Sequence, residues 1–261
     1  MRIVRFSKDD QVYHGKIVDD SIYYIRGDIF NQFEVTTKKE NLDSVKILSP
    51  VTPINIIAIG RNYKGHAQEI NSNLPKKPLL FLKATSSVIG HKDEIILPDA
   101  APNEVDFEAE LAVVIGKEAK NLEINEVDDY ILGYTCANDI SARDCQKRLD
   151  KQWARAKSFD TFCPLGPWIE TQLSQPNNSR ITSKLNGKIM QDSNTNKLIF
   201  NTKELVSYCS KNFTLLPGTI IMTGTPEGVG YARDPQVFLK PGDEIEIEIE
   251  GIGKLYNKVQ V

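Results

Sequence analysis

Histidine is scarce in this chain. Only His14, His66 and His91 occur in 261 residues, too few and too scattered for a multi-histidine metal centre, so a metal here would need oxygen ligands. Cysteine is limited to Cys136, Cys145, Cys163 and Cys209, with no CxxC spacing. That removes the local signature of structural zinc and of thioredoxin-like redox chemistry. Four reduced thiols packed as small hydrophobes are expected instead. An excess of one charge is also missing. The formal net charge is −3, with lysine and arginine spread along the whole length. No basic stripe or tail points to nucleic acid. No apolar run is long enough to span a bilayer, and Met1 to Ser7 lacks the apolar stretch of a secretory signal. The expectation is a cytoplasmic protein with no membrane partner.

Residues 1 to about 50 contain short alternating runs. Met1–Phe6 and Ser21–Ile25 read as strands, with turns near Asp9-Asp10 and Arg26-Gly27-Asp28. The two prolines of Ser49-Pro50-Val51-Thr52-Pro53 suit a connector. The expected organisation is therefore a small N-terminal domain, residues 1–50, and a catalytic domain, residues 51–261. Ile54–Ile59, Val105–Ile115 and Thr219–Thr223 read as strands, and Gly242–Gly251 alternates strictly, with its acidic face solvated. Glu126–Leu132, Ala142–Leu149 and Thr202–Ser210 are the helical candidates, and Asn186-Gly187 signals a hairpin. Strands and helices do not alternate regularly. The predicted fold is α+β, mostly β, and not a doubly wound sheet.

The most informative segment is Val105-Asp106-Phe107-Glu108-Ala109-Glu110-Leu111-Ala112-Val113-Val114-Ile115. Alternation along a strand points Asp106, Glu108 and Glu110 one way. Beyond Glu110 both faces are apolar, so a row of carboxylates runs into a buried strand. Such a row is costly, because like charges repel and lose water. A hard divalent cation would offset the cost, although a solvated edge face has the same pattern. Asp139, in Ala137-Asn138-Asp139-Ile140-Ser141, sits where a strand gives way to a helix. It is either a third ligand or a helix cap. His66 and Glu69 are three apart in Lys64–Ile70. If that run is helical they share a face, and a carboxylate beside an imidazole suits a general base. The polar stretch after them, to Pro78, suits a mobile lid or a plain exposed loop.

Seven segments in order resemble one family: GRNYKGHAQE (60–69), KPLLFLKATSSVIGH (77–91), VDFEAELAVVIGK (105–117), ANDISARDCQ (137–146), AKSFDTFCPLGPW (156–168), NGKIMQDSNT (186–195) and TGTPEGVG (223–230). Together they are similar to the fumarylacetoacetate hydrolase family, from about Ile54 to the C-terminus. The resemblance implies a β-roll catalytic domain behind a small N-terminal domain. It implies magnesium, with manganese or calcium as substitutes, held by Glu108, Glu110 and Asp139, with Asp106 supporting them. His66 and Glu69 match the catalytic dyad, and Lys157 matches the lysine that reaches the site. Arg61, in the loop before the dyad, and Arg143, Gln146 and Thr225 are the implied substrate contacts. The implied partner is a small 2-oxo acid, and the implied assembly is a homodimer.

The reaction expected from this resemblance is hydrolysis of a C–C bond in an acylpyruvate-like 2,4-dioxo acid, through a metal-bound enolate. The alternative is an isomerase, tautomerase or decarboxylase acting on a 2-hydroxy-dienedioate or oxaloacetate. The stretch after Gly230, YARDPQVFLKPGDEIEIEIEGIG, looks like the dienedioate isomerase branch and pulls toward that alternative. A non-catalytic metal-binding relative would have lost a ligand, the dyad or Lys157, and none is lost here.

Overall fold

A computed structural model describes every residue from Met1 to Val261. Strands dominate, and the fold is α+β, mostly β. One large sheet runs in the order Phe33–Asn41, Ser21–Gly27, Gln11–Val18, Arg2–Lys8, Cys163–Glu170, Ile131–Asn138, Ala109–Ile115, Ile220–Met222, Ile56–Gly60, Leu79–Lys83. A second sheet contains Lys188–Asn194, Arg180–Leu185, Glu244–Ile249, Gly253–Gln260 and Glu94–Ile96.

The apolar run in Ala109–Ile115 places this strand at the centre. Its alternate side chains enter two different cores. Leu111, Val113 and Ile115 pack in the main core, with Ile181, Ile245, Ile247, Ile249 and Leu255 of the second sheet. Ala112 and Val114 face a smaller cluster with Ile3, Ile56, Leu165 and Met222. Both faces are buried, as continuous hydrophobicity predicts. In Glu244–Ile249 the alternation sends the three isoleucines inward. On its acid face Glu246 and Glu248 pair with Lys184 and Lys254. All four cysteines are buried and free.

The first 41 residues form an antiparallel meander with its own cluster of Val4, Phe6, Ile17, Ile22 and Tyr24. The same meander continues the large sheet, because Arg2 and Ile3 pair with Glu170 and Ile169. The Met1 amino group also lies 2.8 Å from Glu170 Oε1.

Three expected elements take another form. The strand Val105–Ile115 is broken into Val105–Asp106 and Ala109–Ile115. At the break, side chains replace strand partners: Glu108 N donates to Asn138 Oδ1 and Ala109 N to Gln191 Oε1. The expected helix Ala142–Leu149 begins instead as a two-residue strand, Ser141–Ala142, paired with Val105–Asp106. The chain then turns over residues 143–149, the last five of them, Cys145–Leu149, as a π-helical segment. Glu126–Leu132 is a 3-10 segment, Ile124–Tyr130, that runs straight into a strand. The expected helix at Thr202 does form, over Thr202–Asn212. Asn201 accepts from the N–H groups of Lys203 and Glu204, and the Glu204 side chain caps the Asn201 N–H in return. In the 186–187 hairpin both turn residues have positive φ, 50° and 78°, as a two-residue loop of this type requires.

Candidate active site

Three acidic side chains converge where the broken strand meets the end of its neighbour. Glu108 lies in the break, Glu110 in Ala109–Ile115, and Asp139 directly after Ile131–Asn138. Their carboxylate oxygens lie within 4.8 Å of one another, and all three residues are buried. The backbone enforces this: Asp139 N donates to the Glu108 carbonyl, so the two acids are fastened by the chain itself.

Four buried acids and three buried cations make up the surroundings. Arg143 Nη2 lies 2.7 Å from both Asp106 and Glu108. Lys157 Nζ donates to Glu108 at 2.8 Å and to Asp139 at 2.6 Å. Lys83 donates to the other oxygen of Asp139 and to the Phe162 carbonyl. Glu110 is the one acid with no cation against it; its Oε2 accepts from Gly224 N at 2.7 Å. Burial alone would raise both glutamates. For Glu108 the charges of Lys157 and Arg143 win and hold it well below the usual carboxylate range. For Glu110 burial is reinforced by Asp139 and Glu108, and its carboxyl is pushed well above that range. Lys157 loses water, but Asp139 and Glu108 outweigh this and hold it firmly charged. The cluster is thus one positive charge short, beside Glu110. Three hard oxygen donors around that deficit fit a divalent cation.

The dyad stands on a short helix, Lys64–Glu69, that follows the strand Ile56–Gly60. His66 Nδ1 and Glu69 Oε1 are 2.7 Å apart, and Glu69 Oε2 accepts from Gly228 N at 2.7 Å. A carboxylate accepts, so Nδ1 carries a proton, and in the neutral ring Nε2 keeps its lone pair. The segment expected as a lid divides in two. His66 and Ala67 are buried, whereas residues 71–77 are irregular and largely exposed.

Of the ten residues singled out from the sequence, Arg61, His66, Glu108, Asp139, Arg143, Gln146, Lys157 and Thr225 line one pocket. Glu69 is hydrogen-bonded to His66, and Glu110 is buried beside Glu108 and Asp139 without lining the pocket. Gln146 accepts from Arg143 at 2.8 Å, and Thr225 Oγ1 accepts from Gln191 at 2.8 Å. Asp106 supports the site from outside. It accepts from Arg143 and from the N–H groups of Phe107, Gly230 and Tyr231.

Several residues in the site were not picked out by sequence reasoning. Lys83 is the most important. Its signal was its inward register with Phe81 in Leu79–Lys83. Trp153, Tyr231 and Lys147 complete the pocket wall. Asn62, which with Gly60 and Arg61 matches the family's loop before the dyad, staples that loop to Phe200 and Thr223.

A family model described as fumarylacetoacetate (FAA) hydrolase C-terminal matches residues 55–260, and one described as Rv2993c-like, N-terminal matches residues 1–50. Oxaloacetate tautomerase Fahd2a, mitochondrial, of Rattus norvegicus is 50% identical over 218 residues, which is 82% of this chain and 69% of that protein. The structure of 5-carboxymethyl-2-hydroxymuconate delta-isomerase from Mycobacterium smegmatis matches with a TM-score of 0.90 at 40% identity, over 100% of this chain and 99% of that one. Fumarylacetoacetate hydrolase from psychrophilic Exiguobacterium antarcticum matches with a TM-score of 0.91 at 32% identity, again over 100% and 99%.

Proposed function

The chain belongs to the fumarylacetoacetate hydrolase family, and within it we propose a proton-transfer enzyme, a tautomerase or isomerase acting on a small 2-oxo dicarboxylate such as oxaloacetate. The observation that carries this reading is the docked His66–Glu69 pair, which shares one pocket with Glu108, Asp139 and Lys157. Moving a proton next to a 2-oxo group requires a base, a fixed orientation for it, and positive charge near the oxygen. These residues supply all three. Hydrolysis requires in addition an activated water and room for an acyl end. The relatives named as an oxaloacetate tautomerase and a muconate isomerase favour the simpler chemistry. Hydrolysis of an acylpyruvate, the reaction first expected from the sequence, therefore stands second.

Glu108, Glu110 and Asp139 would hold a divalent ion, magnesium in our reading, which when bound supplies Lewis-acid stabilisation of charge on the 2-oxygen. The protein's own part is the proton. With Nδ1–H held by Glu69, His66 Nε2 takes a proton from C3 of the keto acid, and the electron pair moves to the 2-oxygen. Lys157 and Arg143 lie on the same wall and share their charge between that oxygen and the carboxylates they already hold. Delivery of the proton to the oxygen completes the enol, and the reverse sequence regenerates the keto form.

The test follows the enol absorbance of oxaloacetate with enzyme plus magnesium, and with chelator. Release of carbon dioxide from oxaloacetate and of pyruvate from acetylpyruvate are measured beside it. Chelator-sensitive acceleration of the keto–enol exchange is expected. Efficient cleavage of acetylpyruvate with no acceleration of that exchange would restore the hydrolytic reading.

A further inference from the structure

The pocket wall holds four strong cations, and they are not equivalent. Arg143 and Lys157 are committed to buried carboxylates. Arg61 and Lys147 line the same pocket with no carboxylate within ion-pair distance. An unpaired lysine at a surface is ordinary, but here other observations converge. Arg61 adopts a left-handed backbone, φ 59°, which is costly for a residue with a Cβ. Its guanidinium carbon lies 5.5 Å from the centre of the Trp153 ring, and its Nε is buried without a partner. Lys147 is held over Tyr231, with its ammonium 5.0 Å from the ring centre, and Arg143 approaches the same ring at 5.9 Å. Two aromatic faces thus steer unneutralised cations onto one pocket. Surrounding protein lowers the Lys147 pKa first, with Arg143, Arg61 and Lys157 adding to it and Glu108 opposing. These cations crowd one another, and an anion among them would relieve the repulsion.

The polarity of the pocket gives that anion a direction. Glu108 and Asp139 are deeply buried, whereas Lys147 is an exposed residue that lines the pocket. The 2-oxo acid head belongs at the acid-lined floor, so a second negative group on the same molecule meets the cations at the mouth. We infer that Arg61 and Lys147 form the seat of the substrate's distal carboxylate and make the enzyme select 2-oxo dicarboxylates over 2-oxo monocarboxylates. This rests on the 2-oxo acid reading of the site and names the residues that set its specificity.

The test compares the binding of oxaloacetate and pyruvate in the presence of magnesium, by calorimetry or Trp153 quenching, in the wild type, Arg61→Met, Lys147→Gln and Lys147→Glu. The wild type should prefer oxaloacetate. Each neutral variant should lose about tenfold of that preference, the usual worth of one charge-assisted contact. Lys147→Glu should lose more. Its surface position keeps it informative even if Arg61→Met folds poorly. A wild type without preference, or variants that weaken both acids equally, would overturn the inference. Failure of the underlying reading has a different signature: oxaloacetate binds selectively but its C3 protons exchange with deuterated water no faster than without enzyme.

Discussion

Substituting Glu110 by glutamine should move two properties in opposite directions. The side chain is buried, it accepts from Gly224 N, and it alone among the four acids of the cluster has no cation against it. Its oxygens lie within 4.8 Å of oxygens from Glu108 and Asp139. At an effective dielectric of about 20, one such like-charge pair costs about 3 kcal/mol. Part of that is already offset, because Lys83, Lys157 and Arg143 neutralise the partners. About 1–2 kcal/mol remains as the gain on removing the charge, and glutamine can still accept from Gly224 N. For a chain of this size that raises Tm by roughly 2–8 °C in chelator. The same change removes one of three anionic donors for a divalent ion. Magnesium affinity should fall at least about 100-fold, judged against the 10–100-fold typical of residues that only support a ligand. Thermal unfolding in chelator and in magnesium, with calorimetric titration of magnesium, measures both. A variant that melts lower than wild type in chelator and keeps the magnesium-induced rise would refute the reasoning. Glu110 would then be a structural acceptor for Gly224 and not a cation ligand.

Other expectations follow from single contacts. Lys83→Met strips a buried donor from Asp139 and from the Phe162 carbonyl; breaking such a pair costs about 3–5 kcal/mol, so a Tm unchanged from wild type would show that Lys83 stabilises nothing. Glu69→Gln should cut turnover roughly 10- to 100-fold by weakening His66 as a base while magnesium affinity holds; equal losses in both would make Glu69 a scaffold residue. His91 is held at about 4, chiefly by burial, with Lys92 adding and Asp93 opposing. Folded His91 therefore binds fewer protons than unfolded His91 between about 4 and the ordinary value near 6.5. Its contribution is present above that window and is lost as pH falls through it; His91→Asn should flatten this part of the stability profile, and an identical profile would exclude His91 as its source. The homodimer proposed from the family resemblance should show as twice the 29.3 kDa chain mass in light scattering, with exposed Leu79 and Leu82 of the sheet-edge strand as first candidates for the contact.

The site was more legible in the sequence than the local backbone, and the reason is physical. Glu108 and Glu110 stand out because carboxylates next to Leu111, Val113 and Val114 need an explanation whatever the exact geometry, whereas Asp139 read equally as a helix cap and was picked out by the family resemblance alone. His66 and Glu69 share a helix, so spacing alone brings them together. The misread elements all depend on distant partners. The break at Phe107–Glu108 is enforced by the side chains of Asn138 and Gln191, 30 and 82 residues away along the chain from the N–H groups they accept from. The start of the expected Ala142–Leu149 helix is claimed by Val105–Asp106. The first strand reaches across to Cys163–Glu170, a pairing that alternation in Met1–Phe6 cannot specify. Lys83 was hidden for the complementary reason. A lysine on an edge strand ordinarily faces solvent, and although alternation puts Lys83 on the face of Phe81, nothing within Leu79–Lys83 names Asp139 as its partner. What these cases share is a buried polar group satisfied from elsewhere in the chain. Periodicity reports which side chains leave water, but not which partner a buried N–H or ammonium finds. In this protein those long-range partners are also the groups that set the acids in place, so the strand break and the site have one cause.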